Sequence, residues 1–279
     1  MAQRLSPHMT IMANAAQKAA RRLLRDFAEV EQLQVSIKGP SDFVSQADTR
    51  AEQTLYEELD KGRPGYAFLM EERGGSGSDN WAWRWVVDPL DGTTNFLHGI
   101  PHWAISIALE KRLADGGSEL VAGLVYAPAA DEMFWAEKGA GAFVNEFRLR
   151  VSARREMKDA VLATGIPFAA VSPARRLAFA RTLGTLMPTV AGIRRFGSAA
   201  LDLAWVAAGR YDGYWELGLN RWDIAAGALI VREAGGFATE PDGQHDPRET
   251  GDIVAANPHL HEKLCGVVRD GLEAGRYLT

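Results

Sequence analysis

The chain has 279 residues, 47% of them hydrophobic and 24% charged, with a net charge of −5. This is the composition of an ordinary globular protein with a core of normal size, and its acidic balance argues against general affinity for nucleic acid or an anionic membrane. Cys265 is the one cysteine in the sequence, which excludes a disulfide within the chain and is the usage of a reducing, cytoplasmic compartment.

Taken in chain order, Met12, Ala16, Ala19, Leu23 and Phe27 recur at helical spacing and predict a first helix from Met9 to Val30. This stretch is also basic and alanine-rich, as an organellar transit segment is, but the helix of a fold is the preferred reading. No signal-peptide core is expected at the N-terminus, and no apolar run reaches the length of a membrane span. Lys38 to Ser41 reads as a loop, and Asp48 as the residue before a second helix that carries Glu52, Leu55 and Leu59 and breaks at Gly62 to Gly65. Tyr66 to Met70 reads as a strand ending in Glu71-Glu72, and Arg73 to Asn80 as a mobile glycine- and serine-rich loop. Strands are expected at Trp85–Val87, Trp103–Leu109, Leu120–Tyr126, Glu132–Glu137, Val161–Thr164, Tyr211–Glu216, Phe237–Thr239 and Ile253–Ala256. Helices are expected at Arg175–Met187, from Ser198 as N-cap to Ala208, at Trp222–Ala234, and after Asn257-Pro258, where Cys265 reads as a small buried apolar group. Alternating elements of this kind predict stacked layers of helix and sheet.

The most informative stretch is WVVDPLDGTTNFLH, from Trp85 to His98. An apolar run is expected to stop at Asp88-Pro89, because proline cannot donate into a ladder. Asp91 follows, then Gly92-Thr93-Thr94. Carboxylate oxygens suit a hard cation such as Mg²⁺, and the free N–H groups of a Gly-Thr turn suit a phosphate oxygen. Glu71, Asp88, Asp91 and Asp223 all lie at element boundaries, where side chains can face a cleft. Gathered there without a cation they would repel one another. Taken singly, Asp223 also reads as a helix N-terminal charge, Glu71 as a surface acid and Asp88 as a turn residue, so spacing leaves their convergence open. His98 and His102 read as loop residues beside the core rather than as metal ligands.

DPLDGTTNF, with Glu71-Glu72 upstream and WDIAAG (Trp222 to Gly227) downstream, resembles the inositol monophosphatase family of the Mg²⁺-dependent, Li⁺-sensitive sugar-phosphatase superfamily. The resemblance runs from Lys38 to the Ile253–Asn257 segment. It implies a layered α+β (αβαβα) sugar-phosphatase fold in one unit. An N-terminal part to about residue 150 would carry most of the metal site, and the remainder Asp223 and the substrate pocket.

The resemblance also implies roles. Glu71, Asp88, Asp91, Asp223 and the Leu90 carbonyl match metal ligands for two or three Mg²⁺ per site. Gly92 and Thr93 match the phosphate-binding turn. Thr93 and Glu71 match the pair that orients the attacking water, with Asp48 supporting Thr93. Glu216 matches a group that bonds substrate hydroxyls, and Gly197-Ser198-Ala199 a segment lining the alcohol side of the pocket. Lys38 falls near the family's loop lysine, with one residue fewer between it and Asp42 than in the animal enzymes. Met70 stands where many relatives have glycine.

Direct hydrolysis of a phosphate monoester by an in-line water, without a phosphoenzyme, is therefore the expected reaction. Thr94-Asn95-Phe96, unlike the Lys-Glu-Phe of the nucleotide branch, favours inositol monophosphate. Histidinol phosphate is the alternative, since Glu216 could equally meet an amine, and a broader sugar or nucleotide phosphatase stands behind it. HGIPHWAISIAL looks like the bacterial extragenic-suppressor branch, whose members are associated with the transcription machinery. Binding to a transcription complex, with Arg194 and Arg195 as surface candidates, is thus the reading from another class. A homodimer is implied by the resemblance alone.

Overall fold

The computed structural model describes residues 5–30, 35–39, 42–167 and 171–276. Helix α1 (Pro7–Ala28) opens on Ser6, whose side chain accepts the N–H of Met9 at 3.2 Å, with proline in the first turn where no donor is needed. It begins two residues earlier and ends two earlier than its periodicity predicts. Strands β1 (Val35–Gly39) and β2 (Asp42–Ser45) pair antiparallel, so the expected loop at Lys38 is partly strand, and Pro40 and Ser41 lie outside the described residues. Helix α2 (Gln46–Gly62) has Asp48 inside its first turn rather than before it.

An eight-stranded sheet follows, built from β3 (Ala67–Met70), β4 (Gly74–Ser76), β5 (Trp83–Asp91), β6 (Ala104–Arg112), β7 (Ser118–Ala127), β8 (Glu132–Glu137), β9 (Gly141–Val144) and β10 (Phe147–Arg148). Its spatial order is β10-β9-β8-β7-β6-β5-β3-β4. The short helix α3 (Thr93–Leu97) sits between β5 and β6.

Two expectations are corrected here. The Arg73–Asn80 segment contains an edge strand, because backbone pairing to β3 needs no side chain from Gly74-Gly75-Ser76. Strand β5 does not stop at Asp88-Pro89 but runs on to Asp91. Its pairing with β3 ends at Val87, and its register with β6 slips between Asp88 and Asp91. The missing proline donor thus falls in a bulge where no ladder bond is required.

A second, five-stranded sheet contains β11 (Val161–Thr164), β12 (Gly192–Arg194), β13 (Gly213–Glu216), β14 (Phe237–Thr239) and β15 (Ile253–Ala256), in the order β12-β11-β13-β15-β14. The remaining helices are α4 (Pro173–Leu186), α5 (Ala199–Ala207), α6 (Arg221–Glu233) and α7 (His261–Arg276).

Strand alternation sorts the core into three layers. Ile105, Ile107 and Leu109 of β6 pack with Met12, Ala16, Leu23, Leu55 and Leu59 of α1 and α2. Ala104 and Ala108 point the other way and pack with Leu201, Leu203, Ile224 and Leu229 of α5 and α6, which also cover Ala163, Tyr214 and Ala255 of the second sheet. Leu162, Trp215 and Val254 face out to α7, where Cys265 is buried as expected, and to Leu186 of α4. The order is α1/α2, sheet, α5/α6, sheet, α4/α7: the layered αβαβα arrangement. No helix among the described residues is long and apolar enough to cross a membrane.

The middle layer is tight. A Cβ added at Gly123 of β7 would lie 2.8 Å from the Ala226 carbonyl oxygen and 3.1 Å from its Cα, both α6 backbone. Gly123→Ala is therefore expected to push α6 off the sheet and destabilise the fold by about 1–3 kcal/mol. Urea unfolding of the variant checks this; an unchanged midpoint would refute it.

Candidate active site

Five acids come from four elements. Asp48 is on α2, Glu71 follows β3, Asp88 and Asp91 lie on the end of β5, and Asp223 is in the first turn of α6. Their mutual approach shows in their electrostatics. Burial pushes the Asp88 carboxyl well above the usual carboxylate range, and the charges of Glu71, Asp91, Asp223 and Asp48 push it further in the same direction. Asp223 is raised by burial first, then by Asp91, Glu71 and Glu216. Asp48, Glu71 and Glu72 each offer an oxygen within 4.8 Å of the other two. The convergence that spacing left open is thus present. Asp223 also fills the role of a helix N-terminal charge, since its Oδ2 accepts the Asn220 N–H at 2.7 Å in a capping box.

Each acid is held by a local device. Asp88 Oδ1 accepts the Leu90 N–H at 2.9 Å, closing an Asx-type turn around Pro89. The opposing pulls on Asp91 leave its carboxyl at about 6. Burial raises it; the Ser198 hydroxyl at 2.6 Å and the Ala200 N–H at 2.7 Å, both bonded to Oδ2 from the start of α5, lower it. The turn bearing Glu71 is tied by Glu52, a buried α2 carboxylate whose Oε2 accepts the N–H groups of Glu72 at 2.8 Å and Arg73 at 3.4 Å. Met70, just before it, is fully buried in the core beneath.

Gly92 turns the chain with φ 91°, and a Cβ there would lie 3.0 Å from the His102 carbonyl oxygen, so only glycine fits. The single helical turn that follows begins with N–H groups that have no intrahelical acceptor. The Thr93 hydroxyl donates to the Leu90 carbonyl at 2.9 Å or to Asp48 Oδ2 at 3.3 Å. Asn95 donates to the carbonyls of His102 at 2.8 Å and Phe196 at 2.6 Å, which locks this turn to the segment before α5.

Glu216 ends β13. Burial pushes its carboxyl to about 7, although the Tyr214 hydroxyl, 2.6 Å from Oε2, and the Arg195 charge both favour ionisation. Ala199 opens α5 after the Ser198 cap. His102 is not among the acids: it packs on Phe196 and Trp205, and burial lowers it to about 4. Lys38 lies on β1, and its side chain is outside the described residues.

Sequence reasoning did not find the tethering groups Glu52 and Ala200, nor Asp202. Asp202 is buried on α5 with neither oxygen hydrogen-bonded, and burial and the Glu216 and Asp91 charges raise it well above the carboxylate range. An acidic residue inside the otherwise apolar ALDLAWVA run was the available signal for Asp202.

A model of the inositol monophosphatase family matches residues 5–273. The chain belongs to that family. It is thereby a phosphatase of a metal-dependent kind. An inositol-1-monophosphatase of Mesorhizobium japonicum is 52% identical over 266 residues, 95% of this chain and 97% of that one. The Nus factor SuhB of Escherichia coli is 41% identical, covering 96% of this chain and 98% of that protein. The crystal structure of the extragenic suppressor protein suhB from Bartonella henselae superposes with a TM-score of 0.89 at 52% identity, over 95% of this chain and all of that one.

The all-oxygen, desolvated and mutually repelling donor set fits a hard divalent cation. It also has a consequence for stability. Folding raises Asp91 to about 6 and Glu216 to about 7 from ordinary carboxylate values, so between these limits the folded state binds more protons than the unfolded one. Metal-free protein should therefore gain stability as pH falls from about 8 to about 5. Added Mg²⁺ should stabilise most at the alkaline end and progressively less below about 6. Melting temperatures measured with and without Mg²⁺ across this range test the sign; a metal-free protein most stable at the alkaline end would contradict it.

Proposed function

We propose that this chain is a Mg²⁺-dependent, Li⁺-sensitive phosphatase that hydrolyses an inositol monophosphate to the free polyol and phosphate, and that it works as a cytoplasmic homodimer. The observation that carries this reading is the gathering of Asp48, Glu71, Asp88, Asp91 and Asp223 beside the Gly92-Thr93 turn. A protein that only bound a partner would have no physical need for such a repelling set. Glu71, Asp88, Asp91, Asp223 and the Leu90 carbonyl would hold the metal. When bound, Mg²⁺ supplies neutralisation of the phosphate dianion, a lowered water pKa and stabilisation of the leaving alkoxide.

The chain's own residues set the geometry. With its proton on Asp48, the Thr93 hydroxyl has lone pairs free to accept from water, while Glu71 accepts that water's second proton. The two contacts aim its oxygen in line with the scissile P–O bond. The Gly92-Thr93 turn would bind the phosphate oxygens; its Gly92 N–H also donates to the Asp91 carboxylate. As the new P–O bond forms, the attacking water gives up a proton through Glu71 and the bond to the alcohol breaks; the alkoxide takes up a proton from solvent water, so that ester and water become free alcohol and hydrogen phosphate. On the alcohol side Glu216, held by Tyr214, and the Ala199 backbone would bind substrate hydroxyls. The names of the relatives support inositol phosphate as the ester.

Histidinol phosphate remains the alternative, because an ionised Glu216 would attract an ammonium as well as accept from hydroxyls. A second role in a transcription complex is favoured by one observation, the relatives named Nus factor SuhB at 41% identity. Arg195, however, acts on Glu216 and Asp202, which places its charge toward the pocket and supports substrate steering.

Phosphate release from inositol 1-phosphate, histidinol phosphate, fructose 1,6-bisphosphate and 3′-phosphoadenosine 5′-phosphate tests the substrate. Preference for the inositol ester is expected, and silence on all four with Mg²⁺ bound would sink the enzymatic reading. Asp91→Asn keeps an oxygen for Ser198 and Ala200 but loses a charged ligand. It should fold normally and lose turnover by about two orders of magnitude or more; wild-type turnover would remove Asp91 from the metal set. Glu216→Ala should raise KM for polyol phosphates far more than for a simple aryl phosphate; equal changes would make Glu216 structural.

A further inference from the structure

On the face of β6 that looks toward α6, two residues beyond Ala108, lies Glu110. It is fully buried, yet three arginines from separate parts of the chain converge on it. Arg84, its cross-strand partner on β5, donates to Oε2 from Nη2 at 2.6 Å and from Nε at 3.1 Å. Arg248, 8% exposed in the segment before β15, places Nη1 2.5 Å from Oε1. Arg221, the first residue of α6, brings Nε to 3.3 Å from the same oxygen, an ion pair without hydrogen-bond geometry. Two further acids offset part of this positive charge. Asp246 pairs with Arg248 at 2.9 Å and with Arg232 near the other end of α6 at 3.2 Å, and Glu249 accepts from Arg221 at 2.8 Å.

A buried network of this kind is weak evidence for stability, because desolvating so many charges costs about as much as their attraction returns. Apolar side chains would hold α6 to the sheet equally well. What ion pairs add is a preferred geometry, and here the attraction between Glu110 and Arg221 draws the first turn of α6 to the end of β6. That turn carries Asp223 two residues after Arg221, and Asp223 faces Asp91, Glu71 and Glu216, which repel it. The Ser106 hydroxyl, which donates to the Trp222 carbonyl at 3.3 Å, is a second tie of this turn to β6. Strands β5 and β6, which carry Asp88, Asp91 and Glu110, are one ladder. A clamp from Glu110 to Arg221 therefore sets the position of Asp223 relative to Asp88 and Asp91.

We propose that Glu110, acting through Arg221, is a positioning residue that holds Asp223 in place for the cation. This rests on Asp223 being a metal ligand, as in the reading above. The test is direct binding of Mn²⁺ to the full chain, followed by electron paramagnetic resonance, with turnover read separately. Arg221→Ala is expected to weaken Mn²⁺ binding by about tenfold, the size seen when a group that orients a ligand is removed. Turnover at saturating metal should change much less. Arg221→Lys should restore part of the affinity. Glu110→Gln should act like Arg221→Ala where it folds. If Asp223→Asn weakens Mn²⁺ binding and Arg221→Ala does not, the clamp is structural only and the proposal is wrong. If Asp223→Asn itself has no effect, the ligand assignment fails and the positioning role falls with it.

Discussion

Repulsion among desolvated carboxylates is the constraint that the rest of this structure answers. Asp88 and Asp223 are pushed well above the carboxylate range chiefly by burial and by each other's neighbours. Left alone, such a set would take up protons or spread apart. The fold prevents spreading by giving each acid a separate tether on a different element: Leu90 N–H for Asp88, Ser198 and Ala200 for Asp91, Asn220 for Asp223, and Glu52 for the turn that bears Glu71. Each tether uses one side of a carboxylate or its backbone and leaves other oxygen lone pairs for the cleft. The layered architecture is what allows this. The acids come from α2, the first sheet and the middle layer, so the site sits where the first sheet, α2, α5 and α6 meet.

The same constraint explains why the β5 strand is built as it is. A proline between Asp88 and Leu90 would interrupt a regular ladder, but the register slip against β6 makes room for it. The bulge turns Leu90 and Asp91 relative to Asp88, so both aspartates can face one cleft although period-two alternation alone would separate them. Gly92, with its positive φ, then aims Thr93 back at Leu90 and Asp48.

Much of this was legible in the sequence, for physical reasons specific to each element. The helical stripe of α1, the alternation of β6 and β7 and the Ser198 cap are local patterns, and local patterns survive without tertiary context. DPLDGTTNF carried its own chemistry and its resemblance. What was not legible depends on partners far away in the chain. Pairing of Gly74–Ser76 onto β3 has no side-chain signature. The continuation of β5 through Pro89 depends on how β6 slips beside it. The bonds from Ser198 and Ala200 to Asp91 join residues more than a hundred positions apart. Glu110, one residue past the expected Trp103–Leu109 strand, carried no signal, because the three arginines that surround it come from positions 84, 221 and 248.

The Glu216 end of the cleft follows a different logic from the cluster around Asp88. Glu216 and Asp202 are both acids in a low-dielectric wall, but Glu216 has Tyr214 as a donor and Arg195 nearby, and Asp202 has no hydrogen-bonding partner for either oxygen. Their charged forms oppose each other, so the better-solvated one ionises first. Asp202 is held well above the usual carboxylate range, and burial leaves Glu216 at about 7. In its protonated form Glu216 can both donate to and accept from a hydroxyl, which suits a polyol. In its ionised form it accepts only and attracts an ammonium. Under the proposed function, the choice between a polyol and an amino-alcohol ester turns on one proton, which the Arg195 charge helps release and the Asp91 charge helps retain.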